Sequence, residues 1–178
     1  MATASNAQQA RTVNVVDHGK LDVRALVLLA VLLAAGFILN FPVGKAISSL
    51  SGGVISPEFI ISAFCLTILV VRPNVPQALV IGLISAAVIQ ITTTSPFIDF
   101  AAEGIAAMLM AVIVNAGMRG GAKKFVPAIG TFVTTVVSGC IFMVIKMAML
   151  GVVAQLAAAM LPVVFATGVF NAILVQAL

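Results

Sequence analysis

Two carboxylates four residues apart, Asp99 and Glu103, stand in "ITTTSPFIDFAAEGIAAM" (Ile91–Met108), a stretch otherwise rich in threonine, alanine, isoleucine and methionine. On a helix this spacing puts both side chains on one face. Like charges on one apolar face repel, so a proton, a cationic side chain or a cationic ligand must offset them. The plainer alternative is helix chemistry. Asp99 lies near the start of its segment, where free backbone N–H groups favour a carboxylate. Ser95-Pro96 fits a cap with proline at the first helical position. Glu103 lies one turn deeper, where capping accounts for it less well, and it reads as a ligand contact or as half of an ion pair.

A second set of polar residues sits near the ends of apolar runs. Lys146, between "MVI" and "MAML", has three open roles. It can snorkel to headgroups, neutralise Glu103, or grip a substrate carboxylate. Glu58 follows Ser56-Pro57 at the start of a segment and is either a cap or a ligand contact. Thr92, Thr93 and Thr94 can offer hydroxyls to a ligand or to their own helix carbonyls. Asn40, Lys45, Gln90, Gln155 and, deeper, Asn171 complete the set. With no Trp and no Tyr, phenylalanine is the one aromatic type available as a ligand wall, and Phe37, Phe41, Phe97, Phe100, Phe142, Phe165 and Phe170 are the candidates. The residues expected to contact a substrate are therefore Glu103, Asp99, Lys146, Thr93, Thr94, Asn40, Glu58 and Phe100.

Enzymatic chemistry finds no support in the motifs. The chain has no Walker A sequence, no HExxH and no nucleophile elbow. Its one histidine, His18, lies in a polar tail, and no metal site is expected. Cys65 and Cys140 each lie within an apolar run and read as free packing thiols.

The elements that position these residues follow from composition. Of 178 residues, 62% are hydrophobic and 8% charged, and the mean hydropathy is +1.27. That leaves too few charges for a water-facing exterior, and lipid as solvent explains the deficit. The net charge of +4 sits in loops and the tail, as a topology signal rather than a nucleic-acid surface. Residues 1–23 form a polar tail ahead of a first apolar run that is read as a retained helix rather than a signal peptide. Residues 24–178 form the membrane domain.

Six apolar segments are expected: Val23–Phe41, Pro57–Val71, Gln77–Thr93, Phe97–Gly117, Phe125–Gly151 and Ala154–Leu178. Pro42 and Gly44 in "NFPVGK" should end the first, leaving "AISSLSGG" as a loop or short interfacial piece. "RPNVP" turns the chain between the second and third. Six helices place Arg11, Lys20, Arg24, Arg72, Arg119, Lys123 and Lys124 on one side and Lys45 and Lys146 on the other. By the positive-inside rule both termini are cytoplasmic, and Asp99 and Glu103 lie toward the outer end. The fold class is thus an all-α integral membrane protein of six transmembrane helices.

Ala30 and Ala34 in "RALVLLAVLLAAGFILN" lie four apart, a spacing that allows close approach of another helix, although Ala102/Ala106 and Ala107/Ala111 repeat it. Together with the helix number, the outer polarity and the pieces "ALVLLAVLLAAGFILN", "SPEFIISAFCLTILVVRPNVPQALVIGLISAAVIQITTTSP", "FAAEGIAAMLMAVIV" and "AIGTFVTTVVSG", this resembles the substrate-binding S component of an energy-coupling factor (ECF) transporter. The subgroup it looks most like is the tryptophan-transporter-like one. The resemblance runs along most of residues 25–178, and "GLISAAVIQITTTSP" followed by an acidic residue is its most specific part.

It implies a multi-pass protein of a bacterial cell membrane that binds a small nutrient, most readily tryptophan or a related aromatic amino acid. It also implies that the protein topples to release its substrate when docked through Ala30 and Ala34 on a transmembrane scaffold (the T component). That scaffold carries two cytoplasmic ATPases, so ATP and Mg would be used by the partners and not by this chain. Where the family pattern has a basic residue directly after the acidic position, this chain has Gly104. The alternatives are a vitamin-specific S component, a self-sufficient carrier using Asp99 and Glu103 as a cation site, and a structural subunit of a membrane complex.

Overall fold

The computed structural model describes residues 21–53, 57–93, 95, 97–119, 123–151 and 154–178. Thr94, Pro96 and the tail up to Lys20 lie outside them. Every regular element among the described residues is helical: α1 (Val23–Leu39), a π turn (Asn40–Gly44), α2 (Lys45–Leu50), α3 (Phe59–Val71), α4 (Val75–Ile89), α5 (Ile98–Gly117), α6 (Val126–Leu150) and α7 (Ala154–Ala177).

Among the described residues four helices are long and apolar enough to cross a membrane: Val23–Leu50, Ile98–Gly117, Val126–Met149 and Ala157–Ala177. The second and third apolar segments are helical as expected, but α3 and α4 have only 13 and 15 residues. At 1.5 Å per residue they reach about 20–22 Å, short of the roughly 30 Å hydrocarbon core.

The local signals explain most of the ends. Asp22 caps α1, its carboxylate accepting the Ala25 N–H at 2.8 Å. α3 ends on Arg72 in the left-handed region at φ 52°. Asn74 and Gln77 form a capping box at the start of α4. The expectation that Pro42 and Gly44 stop the first helix is overturned. The chain passes through them as a π turn and resumes as α2, giving one 28-residue rod, Val23–Leu50. A proline inside a helix loses one hydrogen bond and crowds the carbonyl four residues back, and a wider π turn accommodates both. "AISSL" is therefore helix, and the chain turns at Gly52 and Gly53, both with positive φ. The proline-led start of α5 is also corrected. The residue before the helix is Phe97, at φ 70°, with no side-chain cap.

α3 is the central element and packs against α1, α4, α5, α6 and α7. Its residues Ile60, Phe64 and Ile68 meet Leu29 and Leu33 of α1 and Ala106, Met110 and Val114 of α5. Cys65 is buried on this helix. The remaining helices form consecutive neighbours, α4 on α5, α5 on α6 and α6 on α7.

The α4–α5 contact is the tightest. A Cβ added at Gly82 would lie 2.5 Å from the Glu103 carbonyl oxygen and 2.8 Å from the Ala107 Cβ. Gly82→Ala is expected to force α4 off α5 and destabilise the fold by about 1–3 kcal/mol. Gly104→Ala, where the nearest atom is the movable Leu79 Cδ1 at 3.1 Å, should cost less. Thermal unfolding followed by circular dichroism in detergent compares the two. Equal effects would show that Gly82 is not the contact setting the distance between these helices.

Candidate functional site

The end of the bundle where α1 passes into its π turn, α3 and α5 begin and α4 ends encloses a cavity of about 390 Å³, walled on its other sides by α6 and α7. Small-molecule sites start at about 300 Å³, so it is of ligand size. Asn40 reaches it from the π turn, Glu58 from the start of α3, Thr92 and Thr93 from the α4–α5 turn, and Asp99 and Glu103 from α5. Thr135, Ser138 and Phe142 come from α6 and Thr167 from α7, with Ile61, Val163 and Val164 among the apolar lining.

Asp99 and Glu103 share a face, as their spacing predicts, and that face is turned inward: they are 6% and 4% exposed. Asp99 is held at the turn. Gln90 donates from Nε2 to Asp99 Oδ2 at 3.2 Å and accepts the Phe97 N–H on Oε1 at 3.0 Å. Gln90 thus ties down a non-glycine residue in the left-handed region, a conformation that costs on the order of 1–3 kcal/mol. In the same turn the Thr93 hydroxyl accepts the Ser95 N–H at 3.2 Å.

Glu103 has a different environment. Its Oε1 accepts from Ser138 Oγ at 3.0 Å, and its Oε2 is buried without a hydrogen-bond partner. Glu103 is therefore bonded to Ser138 rather than neutralised by Lys146. Glu58 makes no side-chain cap on α3 and lines the cavity. Asn171, fully buried on α7, holds this wall together. Its Nδ2 donates to the Glu58 carbonyl at 3.3 Å and to Thr135 Oγ1 at 3.4 Å.

Of the expected substrate contacts, the structure brings Asn40, Glu58, Thr93, Asp99 and Glu103 to one cavity. Phe100 does not line it. One residue on from Asp99, the helical twist carries its ring about 100° away from the acidic face. Lys146 does not line it either. It lies one turn beyond Phe142, its ammonium 5.3 Å from the centre of that ring. Of the seven candidate phenylalanines, Phe142 is the one at the cavity. Lys45 borders a smaller adjoining cavity of about 240 Å³, which shares Asn40, Glu58 and Thr92 with the main one. Its ammonium sits 4.8 Å from the centre of the Phe41 ring.

Sequence reasoning missed Thr135, Ser138 and Thr167. A signal was present for two of them: Thr131, Thr134, Thr135 and Ser138 recur at helical spacing along an otherwise apolar α6 and are buried together. The cavity offers acceptors, hydroxyls and an apolar wall, with no imidazole or thiol among its lining. No family model, no curated protein and no solved structure matches this chain.

Proposed function

We propose that the chain is the membrane-embedded, substrate-binding subunit of a small-molecule importer of the ECF type. In this reading six apolar helices lie in a bacterial cell membrane with both termini cytoplasmic, and α3 and α4 are short crossings shielded by their neighbours. The observation that carries the proposal is the cavity at one end of an apolar bundle, lined by Glu103, whose Oε2 is buried without a partner. Such a group costs several kcal/mol unless something binds it, and a bound nutrient supplies that partner. The resemblance puts tryptophan or a related aromatic amino acid first among substrates, with its ammonium group at the carboxylates and its ring at Phe142, and a vitamin second.

The partners in this reading are the transmembrane scaffold and two cytoplasmic ATPases. α1 leaves a broad face for them: Ala30 and Ala34 are exposed, flanked by Val27, Val31 and Ile38. Affinity purification of the tagged chain from its own membranes is expected to bring down those three proteins in an ATP-hydrolysing complex. Proton-driven accumulation by liposomes containing this chain alone would replace the reading with a self-sufficient carrier.

A further inference from the structure

The charge in the main cavity is one-sided. Glu58, Asp99 and Glu103 all line it, and none of its lining residues is Lys, Arg or His. The two nearby cations stand outside: Lys146 interacts with Asp99 from beyond Phe142, and Lys45 sits at the adjoining cavity over Phe41. Glu103 adds an independent sign of a missing partner. It is 4% exposed, lines the cavity, and its Oε2 has no hydrogen bond.

A metal ion does not answer this arrangement. Among the described residues no three His, Cys, Asp or Glu side chains are grouped to hold one, so the negative charge is spread along the cavity instead of gathered at a point. Spread charge beside an apolar wall of Ile61, Phe142, Val163 and Val164 is complementary to an extended molecule, cationic at its polar end and apolar elsewhere. A carboxylate on that molecule would enter a space lined by three acidic side chains and no cation, where its own charge finds no partner.

Resting on the importer reading, but replacing the amino acid that the resemblance puts first, we propose that the substrate class is organic cations: amines with an apolar or aromatic body and no carboxylate group. The site thereby discriminates against the zwitterionic amino acid of the same skeleton.

Tryptamine and tryptophan make the test, because they differ only in the carboxylate. The full-length chain, purified in detergent at low salt, is titrated with each by calorimetry, with agmatine and 1,4-diaminobutane as amines lacking the indole. Tryptamine is expected to bind at least tenfold more tightly than tryptophan, and to lose at least tenfold of that affinity in Glu103→Gln. Glu58→Gln, at the end of α3 rather than inside a helix, provides a second variant should the first fail to fold. Tryptophan binding as tightly as tryptamine or tighter would overturn the proposal, and weakening of tryptophan by Lys45→Ala would then place its carboxylate at the adjoining cavity. Silence from all three amines with a folded protein would also overturn it, leaving protons to neutralise the carboxylates. Neither result decides whether the chain docks on an ATPase module, which the affinity purification reads separately.

Discussion

Glu103→Gln is expected to make the ligand-free protein more stable and at the same time unable to hold its ligand. The carboxylate of Glu103 is buried between α5 and α6 with one oxygen bonded to Ser138 and the other unpartnered. An isosteric amide keeps an acceptor for the Ser138 hydroxyl and removes the charge that burial penalises. The gain should be about 1–3 kcal/mol, which at roughly 2–4 °C per kcal/mol for a chain of this length is a rise of several degrees in Tm. Circular dichroism of the helices reads it. Binding should move the other way. An ammonium facing a desolvated carboxylate is worth roughly twice a neutral contact, so a loss of at least tenfold, about 1.4 kcal/mol, is expected. The chain has no Trp and no Tyr, so the fluorescence of an added indole is unobscured and reports its own binding. A variant that binds normally would return Glu103 to a structural role. One that unfolds more readily than the parent would show that the charge itself holds α5 to α6 through Ser138.

The opposed signs follow from what a binding site is. A site ready for a cation must leave acceptors unsatisfied until the cation arrives, and that readiness costs stability in the empty protein. The same argument explains which residues were legible in the sequence. Asp99, Glu103 and Glu58 stand out because a charge in an apolar segment is expensive wherever the fold puts it, and all three reach the cavity.

Hydroxyl groups are different. Thr67 and Ser85 bond the carbonyls four residues back, Ala63 and Ile81, at 3.0 and 2.9 Å. A serine or threonine can thus sit inside a helix at little cost, and only the packing of α6 against α5 reveals that Ser138 faces Glu103. Phe100 and Lys146 lie away from the cavity for a related reason. Spacing gives the face of a residue relative to its own helix, whereas the depth at which a cavity ends depends on the neighbouring helices. Pro42 shows the limit of a local rule. Proline ends helices because of the bond it removes and the carbonyl it crowds, and a single π turn absorbs both while delivering Asn40 to the cavity.

Ala34→Trp, alone or with Ala30→Trp, is expected to abolish transport while leaving binding intact. The buried residues of α1 are Ala25, Leu29, Leu33 and Gly36. At 100° per residue Ala30 and Ala34 fall on the opposite side of the helix, with Val27 and Ile38 exposed beside them. Both alanines are exposed among the described residues, so the fold and the cavity should be unaffected by tryptophan there and ligand affinity should stay within twofold. Close approach of a partner helix is another matter. Small residues serve at such contacts because the backbones must come near each other, and an indole holds them apart. ATP-driven uptake by the assembled complex should fall at least tenfold, and affinity purification should recover less of the scaffold. Val112→Trp, on an exposed position of α5, is the control for a large side chain in lipid and should transport normally. If Ala34→Trp and Val112→Trp transport equally well, the alanine face is in contact with lipid alone, and the proposed docking on a scaffold must be sought on another helix or given up. If only the α1 variant fails while still binding its ligand, recognition and coupling reside on separate parts of the bundle. The inward face of α5 would then select the molecule and the outward face of α1 would deliver it.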